Sequence, residues 1–176
     1  LVGGLPGTGK TTLASSLADT TGFVLLRSDI VRREIAREFD AKYDDASKDS
    51  VYDAMLQRAR ALLARGESVI LDASWTAVRH RHEAERLATD TKADFLSLRT
   101  DAPANVAAER IGERRSRGGD ESQATPEIAA ELAYHADPWP EAHVVDTTCP
   151  LESAHRSALA VVGPVPGSWA SDGQTG

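Results

Sequence analysis

The sequence predicts an α/β domain in which a parallel sheet of five strands carries helices on both faces. Three observations lead there. Apolar, β-rich segments alternate with helical ones through most of the 176 residues, the pattern of parallel strands joined by helical crossovers. The central strand segments lack polar alternation, so both of their faces are expected to be covered. A glycine-rich octet, Gly4-Leu5-Pro6-Gly7-Thr8-Gly9-Lys10-Thr11, stands between an apolar strand end and an amphipathic helix.

The first strand, Leu1-Val2-Gly3, runs directly into that octet, a full match to G-x-x-x-x-G-K-[ST]. Thr12-Leu13-Ala14-Ser15-Ser16-Leu17-Ala18 opens the helix behind it. Strand, loop and helix in this order suit a nucleoside triphosphate. Gly4, Gly7, Thr8 and Gly9 let successive backbone N–H groups curl around phosphate oxygens, and Lys10 sets a cation against the β and γ phosphates. The Thr11 hydroxyl is expected to ligate Mg²⁺, and Thr12 completes the binding set in the first turn of a helix whose positive end faces the same anion.

The second strand is Phe23-Val24-Leu25-Leu26. After Arg27, the run Ser28-Asp29-Ile30-Val31-Arg32-Arg33-Glu34-Ile35 reads as a helix capped by Ser28 or Asp29. In a parallel sheet this strand end shares a rim with the octet, where ligands collect. Asp29 therefore stands where a carboxylate can take the proton of an attacking hydroxyl, and Arg32, one turn on, can hold an anionic acceptor. A plain helix cap is the competing reading of Asp29. The clearest helix spans about Ser50 to Arg65, with Val51, Met55, Ala59, Leu62 and Leu63 on one face and Gly66 as its stop.

The third strand, Ser68-Val69-Ile70-Leu71, delivers Asp72 to the same rim as the acid expected to hold Mg²⁺. Ser74 and Trp75 follow. The next helix carries Arg79, His80, Arg81, His82, Glu83 and Arg86, which reads as a solvated face, with Arg79 or Arg81 reaching the acceptor as the alternative. The fourth strand is Asp94-Phe95-Leu96-Ser97-Leu98. Between Arg110 and Pro126 the chain is dense in charge and poor in apolar anchors, so it reads as a mobile cover outside the core. Its Arg110, Arg114 and Arg117 recur at helical spacing and suit the charge of a transferring phosphoryl group; surface pairs with Glu109 and Glu113 are the alternative. Thr125-Pro126-Glu127 reads as a helix start with Thr125 as cap, and His143-Val144-Val145 is the fifth strand. Gly, Pro and Ser dominate residues 163–176, which read as a largely disordered tail.

Composition narrows the function classes. Charged residues make up 27% and hydrophobic ones 41%, and no apolar run approaches the ~18 residues of a membrane span. Nothing resembles a signal peptide. A net charge of −7 argues against a broad nucleic-acid surface. The single cysteine, Cys149, excludes an internal disulfide framework and favours a reducing, cytoplasmic setting, and the five histidines form no ligand set. Leu1 is not a start methionine and the first strand is short, so residues or a domain are expected upstream.

The octet with Thr12-Leu13-Ala14, then Ser28 to Glu34, then Val69-Ile70-Leu71-Asp72-Ala73, and late in the chain Val144-Val145-Asp146-Thr147-Thr148, resemble the small ATP-binding P-loop kinases that include the 5′-hydroxyl polynucleotide kinases. At greater distance they are similar to gluconate kinase, chloramphenicol phosphotransferase and zeta toxins. The resemblance covers about residues 1–162 as one kinase-like domain and implies a P-loop NTPase sheet of order 2-3-1-4-5 with an arginine-rich lid. It implies ATP and Mg²⁺ as cofactors, Asp29 as general base, Arg32 as acceptor-binding arginine, Asp72 as the metal acid, Arg110 and Arg114 in the lid with Lys10 beside them in catalysis, and Asp146-Thr147-Thr148 near the adenine. Some similar proteins follow an aminoglycoside-phosphotransferase-like domain, which fits the expected upstream residues. Ala73-Ser74-Trp75 departs from the pattern, so acceptor contacts of that loop do not carry over. The expected activity is transfer of the γ-phosphate of ATP to a hydroxyl on a small molecule or a nucleic-acid end. A nucleoside-monophosphate kinase would need more acceptor-site arginines than Arg32, and a slow ATP-hydrolysing switch serving an upstream domain is the non-kinase rival.

Overall fold

All five strands run the same way because helices return the chain to the starting end of the sheet after each one. The computed structural model describes residues 1–39, 45–117 and 125–164. Strand β1 (Val2–Gly3) leads through the octet into α1 (Lys10–Thr21), and β2 (Val24–Arg27) into α2 (Ser28–Phe39) and α3 (Asp45–Leu63). Next come β3 (Val69–Asp72), α4 (Val78–Thr91), β4 (Leu98–Asp101), α5 (Ala104–Arg117), α6 (Pro126–Tyr134), β5 (His143–Asp146) and α7 (Leu151–Val162). The sheet order is β2-β3-β1-β4-β5, all parallel. Fold class and strand order are those the sequence predicts.

The two faces carry two cores. On one, Val31, Val51, Met55, Ala59, Trp75, Ala84 and Leu87 from α2, α3, α4 and the β3–α4 connection pack with Leu71. On the other, Leu13, Ala14 and Leu17 of α1 and Ala154 and Ala158 of α7 pack with Val2, Ile70, Leu98 and Val145. Ile70 and Leu71 are neighbours in β3 that point to opposite faces, so this strand needs an apolar residue at both positions. The expected face of α3 is the buried one for Val51, Met55 and Ala59, whereas Leu62 and Leu63 are only partly buried. Gly66 ends the segment at φ +78° while its amide donates to the Leu63 carbonyl at 2.9 Å.

Three expectations are corrected. The fourth strand is Leu98–Asp101, starting where the expected segment ends, because its ladder partner β1 begins only at Val2, which pairs with Leu98. Ahead of that pair, the Leu1 amine reaches the Leu96 carbonyl, and the Leu1 carbonyl accepts from the Leu98 amide at 2.8 Å. The start of the expected cover is not loose: Arg110 to Arg117 continues α5, and Ile111 is 0% exposed, the one large apolar side chain in the segment acting as its anchor. On α4, His80 and Arg81 are buried rather than solvated. Burial is tolerable for Arg81 because its guanidinium donates to the carbonyls of Trp75, Thr76 and Pro138 at 2.8, 3.3 and 2.6 Å. Residues 118–124 and 165–176, with the rest of the expected cover and most of the expected tail, lie outside the described residues.

Met55 is fully buried in the larger-residue core. Met55→Ala should lower unfolding stability by about 2–5 kcal/mol. Urea denaturation checks this, with an unchanged midpoint as the result that would reject the packing assignment.

Candidate active site

The P-loop leaves β1 and must reverse direction within a few residues before α1, which forces backbone into the left-handed region. Gly7 takes φ +83°, and a Cβ there would overlap the Ala107 carbonyl of α5. Gly4 takes φ +145° with the Thr100 side chain where a Cβ would lie. Both positions therefore admit glycine alone. Gly9 caps α1.

Buried threonines hold the loop. Thr100, 2% exposed, donates to the Gly3 carbonyl at 3.0 Å and lies 2.7 Å from the Thr8 hydroxyl, which also reaches the Leu5 carbonyl at 2.7 Å. From the end of β5, the Thr147 hydroxyl donates to the Thr8 carbonyl at 2.8 Å and to the Asp101 carbonyl at 3.0 Å. Thr8 is thus tied to both β4 and the β5–α7 connection. Thr12 is exposed in the first turn of α1.

The acids meet on the adjoining strands. Register pairs Arg27 of β2 with Asp72 of β3, so the carboxyl ends of these strands lie side by side. Thr11 Oγ1 donates to Asp72 Oδ2 at 2.7 Å. Asp72 is 2% exposed, and its Oδ1 is buried without a hydrogen-bond partner among the described residues. Burial raises the Asp72 pKa; the Lys10 ammonium and the Thr11 hydrogen bond oppose that. A hydroxyl beside a carboxylate with one orphaned buried oxygen is a donor set that suits a hard divalent cation or its bound water, so Thr11 and Asp72 fit Mg²⁺. Burial likewise lowers the Lys10 pKa, with the Asp72 and Asp29 carboxylates opposing it and the Arg114 and Arg27 guanidinium groups adding to it. A phosphate group would restore the charge balance that this lysine lacks.

Asp29 lies in the first turn of α2, and Arg27 binds it at two points, Nε to Oδ1 at 3.1 Å and NH2 to Oδ2 at 2.6 Å. The Ile30 amide donates to Oδ1 at 3.0 Å. Arg27 was not among the expected site residues; its sequence signal was a lone cation closing an apolar strand. Arg32 lies one turn on, near enough to α3 for its charge to act on the Tyr52 phenol. Arg110 sends NH2 to the Thr147 carbonyl at 2.7 Å and NH1 to its hydroxyl at 3.4 Å, so this arginine fastens α5 to the β5–α7 connection rather than pairing with Glu109. The Arg114 charge reaches Lys10, and its Nε donates to the Arg110 carbonyl at 3.3 Å. The side chain of Arg117 lies outside the described residues. Arg79 does not reach the rim: it pairs with Asp49 at 2.5 Å. A cavity of about 510 Å³ lies at the opposite end of the sheet among Leu17, Phe23, Leu63, Val69, Leu87 and Phe95, and contains none of these groups.

A parallel sheet of this order, with a phosphate loop and a metal-suited Thr–Asp pair at its carboxyl end, defines a P-loop kinase-like nucleotide-binding domain. The chain belongs to the AAA domain family, whose model matches residues 1–138. An uncharacterized protein of Mycobacterium tuberculosis is 40% identical over 172 residues, 92% of this chain and 34% of its own length, so the chain spans about a third of that relative. A cytidylate kinase of Methanocaldococcus jannaschii is 29% identical over 124 residues, 65% of this chain and 63% of its own. Among solved structures, a gluconokinase of Sinorhizobium meliloti superposes with TM-score 0.69 at 18% identity, covering 91% of this chain and 88% of its own. The Mycobacterium tuberculosis APS kinase CysC, in complex with AMPPNP and APS, does so with TM-score 0.70 at 17% identity, covering 92% and 95%. These likenesses establish the fold.

Asp72→Asn keeps the side chain's size and a partner for Thr11 while removing the charge. Mg²⁺ should then add nothing to the thermal stabilisation given by AMPPNP, measured by melting with and without the metal. An undiminished Mg²⁺ increment would remove Asp72 from the metal's site.

Proposed function

We propose that this domain transfers the γ-phosphate of ATP to an acceptor hydroxyl. The observation that supports the reading best is electrostatic convergence at one end of the sheet: Lys10, Asp72, Asp29 and Arg27 all act on one another's charges. Lys10 and the P-loop amides bind the phosphates, with Gly4, Gly7, Thr8, Gly9, Thr11 and Thr12 shaping the cradle. Mg²⁺ held by Thr11 and Asp72 would neutralise phosphate charge and orient the γ group. Arg114 stabilises the charge of the phosphoryl group in flight.

Asp29 takes the acceptor's proton. Each carboxylate oxygen has two lone-pair directions. Among the described residues, Arg27 and the Ile30 amide use both on Oδ1 and Arg27 uses one on Oδ2, which leaves one on Oδ2 for a hydroxyl. Arg27 thereby orients the base, and Arg32 flanks the acceptor. The acceptor is a small molecule or a nucleic-acid end, and the net charge of −7 favours the small molecule. The names of the similar proteins, gluconokinase, APS kinase and cytidylate kinase, point to acceptors too different to transfer one here.

A second reading, a slow ATP-hydrolysing module serving the rest of a longer protein, is favoured by the two-point hold of Arg27 on Asp29 and by the 34% coverage of the mycobacterial relative. An upstream aminoglycoside-phosphotransferase-like domain and a cytoplasmic setting belong with either reading. The two part on whether phosphate goes to an acceptor or to water.

An acceptor screen with γ-labelled ATP over sugars, aminoglycosides and nucleic-acid ends decides between them, with Asp29→Asn beside the wild type. Asn keeps the shape, so transfer should fall roughly 10²-fold or more while AMPPNP affinity and melting temperature barely move. Retained transfer in a destabilised variant would reduce Asp29 to a helix residue.

Arg114→Ala should lower kcat with little change in AMPPNP affinity, because its charge is needed as the phosphoryl group moves. Arg110→Ala should weaken AMPPNP binding first, since it frees the Thr147 connection from α5. Calorimetric titration beside turnover separates them, and the opposite pattern would exchange their roles.

A further inference from the structure

Burial along α5 stops at Gly112. Ahead of it, Ala107 is buried with its carbonyl crowding Gly7 of the P-loop, Arg110 is bonded twice to Thr147, and Ile111 is completely buried. Past it, the described side chains Glu113, Arg114 and Ser116 include no buried one. Helix α6, which packs against α5, has no buried residue either. The chain is held again where it returns to the sheet. There the Asp137 amide donates to the Thr76 carbonyl at 2.9 Å, the Asp137 carboxylate accepts from the Val78 amide at 2.8 Å, and Arg81 donates to the Pro138 carbonyl at 2.6 Å.

Nothing about an unbroken helix asks for glycine at this point. Gly4 and Gly7 take positive φ with other atoms packed where a Cβ would go, whereas Gly112 is exposed, lies within the helix, and would set a Cβ in open space. Glycine there weakens the helix relative to alanine without improving any fit. One turn on, Ser116 Oγ donates back to the Gly112 carbonyl at 3.0 Å, a kind of bond that competes with the helix ladder and bends helices. Glycine and serine together are a common place for helices to kink. Two independent features thus weaken α5 at one turn, and it is the turn where burial stops.

Past the weak turn stands a cation that bears on the phosphate site. Burial lowers the Lys10 pKa and the Arg114 charge lowers it further, so the two cations repel across the space that a nucleotide's phosphates take. Phosphates between them turn that repulsion into a clamp, with Arg114 on one side and Lys10 and the loop amides on the other. The unbroken helix is then the closed form. We infer that Gly112 is a hinge: the second half of α5 bends at the Gly112–Ser116 turn to carry Arg114 off the P-loop as nucleotide enters or leaves, and straightens when phosphates hold it. Gly112 is a positioning residue for Arg114, and it sets the rate of ADP release. This role requires nucleotide binding at the P-loop and holds whether the γ-phosphate passes to an acceptor or to water.

Inside a helix, alanine is preferred over glycine by roughly fivefold in a conformational equilibrium. Gly112→Ala should therefore slow the release of ADP carrying a fluorescent methylanthraniloyl group, followed by stopped flow with Mg²⁺, by about fivefold, and raise the melting temperature by roughly 2–4 °C. Ser116→Ala should slow release by less. Thr89→Ala removes a similar back-bond, to the Glu85 carbonyl at 3.1 Å, on exposed α4, so it should raise the melting temperature and leave release unchanged. Hydrogen exchange over residues 113–117 should be fast in the wild type, slowed by AMPPNP, and already slow in Gly112→Ala without nucleotide. A raised melting temperature with release unchanged would make Gly112 an ordinary helix residue and overturn the hinge. Equal slowing in Thr89→Ala, or exchange that AMPPNP leaves unaltered, would overturn it too. A wild-type protein that binds neither AMPPNP nor the labelled ADP would overturn the nucleotide site and the hinge with it, whereas the expected release rates without transfer to any acceptor would overturn the phosphotransfer reading alone.

Discussion

A phosphate loop presents backbone N–H groups instead of side chains, so it cannot be anchored by the hydrophobic packing that holds the rest of a domain. In this protein the anchoring falls to Thr8, Thr100 and Thr147, whose hydroxyls and carbonyls form one buried network with Gly3, Leu5 and Asp101. Each bond is modest in net value, but a buried polar group left unpaired is expensive, so the network has few alternative arrangements. The loop's shape is therefore coupled to the ends of β4 and β5. Arg110 extends that coupling to α5 through Thr147.

The second constraint is strand register. Pairing of Arg27 with Asp72 brings together two strand ends that are 45 residues apart in sequence, the difference between 72 and 27, and with them the two acids proposed to hold the metal and to take the acceptor's proton. Because the helices occupy the faces, the carboxyl end is left for polar chemistry, and burial there drives Lys10 and Asp72 toward their neutral forms. Burying charged groups in this way is costly. Nucleotide phosphate and a divalent cation would relieve it, so ligand binding and site stability are linked.

A third layer supports the first two. Arg81 and Tyr52 touch neither the P-loop nor Asp29, yet they set the backbone after Asp72, the one part of the rim where this chain departs from the pattern it otherwise resembles. His80 belongs to this layer too, since it stacks on Tyr52 and shares Asp49 with Arg79. A charged helix face that reads as solvent-exposed in sequence proves to be half support structure. Periodicity reports which residues recur on a face, but not which partner a long polar side chain finds.

Fold class and the P-loop were legible in sequence because each depends on local rules: apolar runs for buried strands, a helix pattern between them, glycines where only glycine fits; the strand order was implied by the resemblance to P-loop kinases. The acids Asp29 and Asp72 were legible for the related reason that a parallel sheet sends every strand end to one rim. The first register pair of β4 was not, since a strand begins where its neighbour supplies a ladder, and Val2 supplies it only from Leu98 onward. Nor was the anchoring of α5 by Ile111, or Arg27 as the partner of Asp29, or the hold of Arg110 on Thr147. Those depend on distances between residues far apart in the chain, set by how the helices pack. The sequence by itself determined the sheet, the loop and the two carboxylates. The tertiary structure alone decided which cation answers which carboxylate, because a guanidinium takes whichever acceptors packing brings within its fork.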